Sequence, residues 1–103
     1  MNPSYALTTA AEADLRDIIQ YTRKRWGDAQ ARTYAASLKT SIERVATGQG
    51  LSRDMATLHP GLRVIQCEHH YIFCLLRNAE PALVVAIFHE RMDLMARLAD
   101  RLR

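Results

Sequence analysis

Two stretches of helical periodicity meet at Gly27-Asp28, and that short link constrains the fold more than any other feature of the chain. Upstream, Ala11, Leu15, Ile18, Ile19, Thr22 and Trp26 recur at helical spacing and define one apolar face. Downstream, over roughly Ala29 to Ala46, the residues Ala31, Tyr34, Ala35, Leu38, Ile42 and Val45 do the same. Two amphipathic helices so closely joined fold back as antiparallel neighbours. Thr9, with Glu12 three residues on, fits a capping box at the start of the first helix. Gly27 suits the end of that helix and Asp28 the N-cap of the next. The stripes predict core, so Trp26 and Tyr34 are both expected inside.

Between Thr47 and Gly61 no period holds, and Gly48, Gly50, Pro60 and Gly61 mark a loop. The pattern then changes to three runs rich in β-branched and aromatic residues: Leu62–Cys67, His70–Arg77 and Leu83–His89. Glu68-His69 and Asn78–Ala82 separate them, lengths that suit antiparallel hairpins. Ser4–Thr8 is a further short strand. Asp93–Arg103 aligns Leu94, Leu98 and Leu102 as a tail or short helix that is stable only if docked. The whole, 1–103, is one α+β domain with order β-α-α-β-β-β. Its helical hairpin packs on a small antiparallel sheet, and 103 residues suffice for a single core.

The net charge of +3 is spread evenly, without the dense stripe of a dedicated nucleic-acid binder. No apolar run approaches the ~20 residues of a membrane span, and Met1–Tyr5 lacks the basic and apolar regions of a signal peptide. A cytoplasmic location is therefore expected, with Cys67 and Cys74 as free thiols. The spacing of Cys67, His69, His70 and Cys74 matches no standard zinc pattern, so turn histidines and core thiols are expected, and no metal. Arg23-Lys24-Arg25 reads as a solvated helix end that complements the helix dipole.

The last strand breaks into mixed chemistry at Ile87-Phe88-His89-Glu90-Arg91-Met92-Asp93. A base, an acid and cations could in principle cleave a phosphodiester, with Arg63 and Arg77 assisting. Against this, His89 and Glu90 are neighbours that point to opposite faces of an extended strand, and the basic density is thin. No residue is assigned a catalytic role. Arg91 and Asp93 either staple the chain end or contact a partner, and both readings stay open. Met92, Leu94, Met95, Leu98 and Leu102 suit the gripping of a partner if the tail leaves the core uncovered.

Four stretches, in this order and spacing, carry a family resemblance. They are Tyr5-Ala6-Leu7-Thr8 through Ala11, Asp14-Leu15 and Ile18–Thr22; then Trp26-Gly27-Asp28-Ala29-Gln30-Ala31 with Tyr34 and Leu38. Pro60-Gly61-Leu62-Arg63 with His70–Phe73 follows, and then His89–Asp93. Together they resemble the ParE toxins of the RelE/ParE superfamily, the toxic halves of type II toxin–antitoxin systems. Thr47–Leu51 and the Cys74–Arg77 stretch depart from the family's usual pattern. The resemblance implies a plasmid-stabilising or chromosomal toxin that inhibits DNA gyrase by binding and needs no cofactor. It implies neutralisation by a ParD-like antitoxin in a toxin–antitoxin hetero-oligomer. No membrane association and no direct sequence-specific nucleic-acid binding by the toxin alone are implied. His89, Arg91, Met92, Asp93, Met95 and Arg97 are the candidates for gyrase contact. Arg63, Tyr71, Phe73, Arg77, Leu94 and Leu98 are the candidates for antitoxin contact. The alternatives are a ribosome-dependent mRNA interferase of the RelE type and an inactive antitoxin-binding module.

Overall fold

The computed structural model describes residues 5–49 and 51–103; Ser4, expected to open the first strand, lies outside the described residues. The helical hairpin forms as the periodicity predicts, from α1 (Thr9–Trp26) and α2 (Asp28–Ala46). Its caps differ from expectation. Thr8, one residue before the expected cap, has extended backbone, and its Oγ1 accepts from the Ala11 N–H at 3.0 Å. Thr9 is already helical, so no capping box forms with Glu12. At the link, Gly27 carries the whole reversal at φ 95°, a backbone region that favours glycine. Asp28 is helical and does not cap; its carboxylate lies 3.1 Å from Arg23 Nε across the turn.

Five strands make one sheet: β1 (Tyr5–Leu7), β2 (Arg53–Asp54), β3 (Leu62–Cys67), β4 (His70–Leu75) and β5 (Ala82–His89), in spatial order β1-β5-β4-β3-β2. The β3-β4-β5 meander is antiparallel as expected, and β1 adds a parallel edge along Ala82–Val84. The sheet is thus mixed. The exposed two-residue β2 lies inside the segment expected to be loop, too short for any alternation to mark it. The middle strand ends at Leu75, two residues before Arg77, whose guanidinium holds the Pro81 carbonyl in the following turn.

Both faces of the sheet are covered. The hairpin buries Ala11, Tyr34, Leu38, Ile42 and Val45 against Ile72, Cys74, Val84 and Ile87. On the other face lies α3 (Leu94–Arg101), whose Leu98 sits among Leu62, Val64, Phe73 and Phe88. The chain end is therefore a docked helix. Trp26 departs from its expected place in the core and is 66% exposed. Thr22 is the last buried residue of α1, and the turn after it borders an open cleft instead of a strand.

A clasp closes the edge that β1 leaves uncovered. Phe73 pairs with Ala86 and Cys74 with Val84, so Val85 is an extra, bulged residue. Its carbonyl accepts from Arg101 Nη1 at 3.1 Å, while Asp14 Oδ2 accepts from the Ile87 N–H at 3.0 Å. Asp14 and Arg101 pair through two bonds of 2.8 Å, tying α1 to α3 around the sheet edge. The Arg101 guanidinium also lies 5.0 Å from the centre of the Phe88 ring.

Candidate functional site

A cleft of about 870 Å³ opens where the hairpin passes the end of the sheet. Ile18, Tyr21 and Trp26 of α1 form one wall, and the β3–β4 turn with the exit of β5 forms the other. Tyr34 of α2 stands between them, its hydroxyl hydrogen-bonded to His70 Nδ1 and 3.4 Å from the Cys67 carbonyl. Three imidazoles gather here because antiparallel pairing sets His70 opposite His89, while the tight turn, with Glu68 at φ 54°, presents His69. The His70 and His89 rings meet edge to face at 5.2 Å, and His69 stacks on His89 at 6.3 Å.

Glu90 joins this cluster. β5 ends at His89, the chain turns, and His69 Nδ1 lies 3.0 Å from Glu90 Oε1 while the Glu90 N–H donates to the His69 carbonyl at 2.8 Å. The expectation that His89 and Glu90 face apart holds only on a continuing strand; here His69 contacts both. His89 Nδ1 accepts the Arg91 N–H at 3.1 Å, which places the proton of the neutral ring on Nε2. Burial, with His89 and His69 alongside, lowers the His70 pKa to about 4, so its ring is neutral at physiological pH. Burial likewise pushes the Tyr34 phenol up to about 12. The cleft therefore offers neutral donors and acceptors, the Asp17 and Glu68 carboxylates and the Arg91 guanidinium. Among the described residues no three His, Cys, Asp or Glu side chains are grouped to hold a metal ion.

The residues expected to contact gyrase divide in two. His89 and Arg91 line the cleft. Met92 is half-buried beneath α3, and Asp93 caps that helix, its Oδ1 accepting from the Ala96 N–H. Met95 and Arg97 are exposed on α3, where Met95 and Leu58 border a smaller groove. The residues expected to contact the antitoxin do not share one surface. Tyr71, Phe73, Leu94 and Leu98 pack together on the α3 side, with Phe73 2% and Leu98 1% exposed. Arg63 ties down the loop before β2 through Ser52, donating from Nε at 2.6 Å and from Nη2 at 2.8 Å. Arg77 sits in the β4–β5 turn, 3.3 Å from Glu80. Sequence reasoning missed Tyr21, Trp26 and Tyr34 as cleft residues, because an apolar stripe marks a helix face without marking where the sheet beneath it stops. It also missed the Asp14–Arg101 clasp, which joins residues 87 apart.

The chain is similar to known proteins over most of its length. The family model described as ParE toxin of type II toxin-antitoxin system, parDE, matches residues 5–94. Toxin ParE of Escherichia coli is 63% identical over 100 residues, covering 97% of each chain. Toxin ParE1 of Caulobacter vibrioides is 33% identical over 94 residues, 91% of this chain and 96% of that one. Among solved structures, a chain from the chromosomal ParDE TA system of P. aeruginosa superposes with a TM-score of 0.66. At 19% identity it covers 82% of this chain and 92% of its own, and supports the fold.

Proposed function

The chain belongs to the ParE toxin family of type II toxin–antitoxin systems, and on that premise we propose that it inhibits DNA gyrase by binding, without chemistry of its own. In this reading it acts in the cytoplasm and is neutralised by a ParD-like antitoxin in a hetero-oligomer. The observation that carries the gyrase reading is the docked α3. It holds Met95 and Arg97 outward on a fixed helix, with His89 and Arg91 at the cleft beside its base. A rigid surface of this kind binds without an ordering cost. The antitoxin reading rests on the apolar group of Tyr71, Phe73, Leu94 and Leu98. An antitoxin segment that contacts Phe73 and Leu98 has to lift α3 from the sheet.

Plasmid supercoiling and cleavage by purified gyrase, with the full chain added, tests the proposal. Cleaved DNA should accumulate, and Met95→Ala with Arg97→Ala should reduce it about tenfold while leaving the fold intact, since both side chains are exposed. Truncation after Met92 is a poor test because it uncovers the core that Leu98 seals. RNA cleavage is the second reading, favoured by the His69–Glu90 pair beside His89. Arrested translation with gyrase untouched would move the assignment there. Silence in both assays would leave the inactive antitoxin-binding module.

A further inference from the structure

Tyr21 and Trp26 stand on the α1 wall of the cleft, 65% and 66% exposed. Asp17 lies one helical turn before Tyr21, so its carboxylate shares that face of α1 with the phenol ring. Glu68 faces them from the β3–β4 turn. Among the described residues neither Asp17 nor Glu68 forms an ion pair. Aromatic rings beside unpaired carboxylates are the surroundings that hold an organic cation. We infer that the cleft receives a basic side chain of a partner protein, an arginine above all.

Charge and shape select that occupant together. Burial is the first cause of the raised Tyr34 pKa, and the Glu68 and Glu90 carboxylates add to it, so the space between the walls lies in a negative potential. Arg91 is the lining's one Arg or Lys. It stands on the wall opposite Asp17 and Tyr21, which leaves the α1 side to an incoming cation. A guanidinium is planar: it lies flat on an aromatic ring while its edge donates to a carboxylate. The indole already takes one in this fold, since Arg25, from outside the lining, sits 5.7 Å from the Trp26 ring centre. An acidic segment or a nucleic-acid strand meets Asp17 and Glu68 as like charges. An apolar helix would strip water from the same carboxylates and give nothing in return. The inference stands whether or not gyrase is the target.

The experiment is a fluorescence titration of the full chain with a short blocked peptide of alternating arginine and serine. Trp26, the only tryptophan, is the reporter. A saturable change in emission is expected, with affinity falling as salt rises. Replacing each arginine of the peptide by citrulline keeps its shape, removes its charge and should weaken binding about tenfold or more. Asp17→Asn and Tyr21→Ala should each weaken it about threefold. Glu12→Gln removes an exposed carboxylate of α1 outside the cleft and should bind like the parent. All three side chains are exposed, so none of these variants threatens the fold. The inference is overturned if the peptide changes neither the emission nor its own anisotropy when labelled. It is overturned equally if the citrulline peptide binds as well, or if Glu12→Gln loses as much as Asp17→Asn, which would reduce the interaction to general charge attraction. Tighter binding of an acidic peptide or a single-stranded oligonucleotide would also overturn it. Agmatine alone binding as tightly as the peptide would do so too, and would assign the cleft to a free organic cation.

Discussion

His70 couples the cleft to pH through a proton it does not hold. Its pKa lies near 4 in the fold, below the ~6.5 of an unfolded chain, because burial and two neighbouring imidazoles oppose its charge. Between those values the unfolded chain binds the extra proton, so stability is complete above pH ~6.5 and falls as pH drops toward 4. With the ring only partly buried, the loss should be about 1–3 kcal/mol. Urea midpoints across this window should flatten in His70→Gln; an unchanged slope would place the pH sensitivity elsewhere. Gly61 sets a different limit. A Cβ there would lie 2.5 Å from the Leu76 carbonyl oxygen, at φ 82°, and the Gly61 carbonyl is itself bound by the Leu76 N–H at 2.8 Å. The backbone cannot retreat without losing that bond, so Gly61→Ala should cost about 2–4 kcal/mol in denaturant midpoint at unchanged m-value. Trp26→Ser, by contrast, should stay within about 0.5 kcal/mol, an outcome incompatible with a core tryptophan.

At the scale of elements, α3 is eight residues long and would not persist alone. Leu98 and the Asp14–Arg101 clasp hold it. Removing Arg101 leaves a largely buried carboxylate without its cation and the Val85 carbonyl without its donor. With both side chains still partly wet, Arg101→Ala should cost about 1–3 kcal/mol, less than a fully buried pair. Asp14→Ala additionally orphans the Ile87 N–H, so its amide exchange should rise along with that of α3. The double variant Asp14→Ala/Arg101→Met should recover part of the sum, since no charge is then stranded. Additive losses would argue against a direct coupling. The same elements show what can be read from sequence. Ala31 to Val45 repeats a helical period often enough to be unmistakable, and Leu83 to Phe88 is continuously apolar because helices cover both faces of the sheet there. A two-residue strand such as β2 has no period. The Asp14–Arg101 pair has no local signature, since its partners meet only once the sheet exists. The cleft was half visible: the break after Phe88 marked His89 and Arg91, whereas the Trp26 stripe pointed inward.

Across the whole molecule the sheet works as a partition. The thiols of Cys67 and Cys74 lie on the hairpin side, and burial raises the Cys74 pKa to about 11. Leu98 and Phe88 lie on the other side under α3. Loosening α3 should therefore leave the hairpin core closed, as a local opening well below the global unfolding free energy. Leu98→Ala should lower stability by about 2–5 kcal/mol and accelerate amide exchange in α3. Thiol labelling of the same protein should remain slow, because a buried, protonated Cys74 reacts only when the hairpin face itself opens. If labelling instead keeps pace with α3 exchange, the two cores open together and the sheet insulates nothing. The partition also has a functional edge. In the Leu98→Ala protein the outward surface of α3 is no longer fixed, so the gyrase inhibition proposed above should fall. The cleft, built from the hairpin and the far end of the sheet, should keep the Trp26 emission of the parent. A shift in that emission would mean that α3 organises the cleft as well, through the short chain between His89 and Asp93.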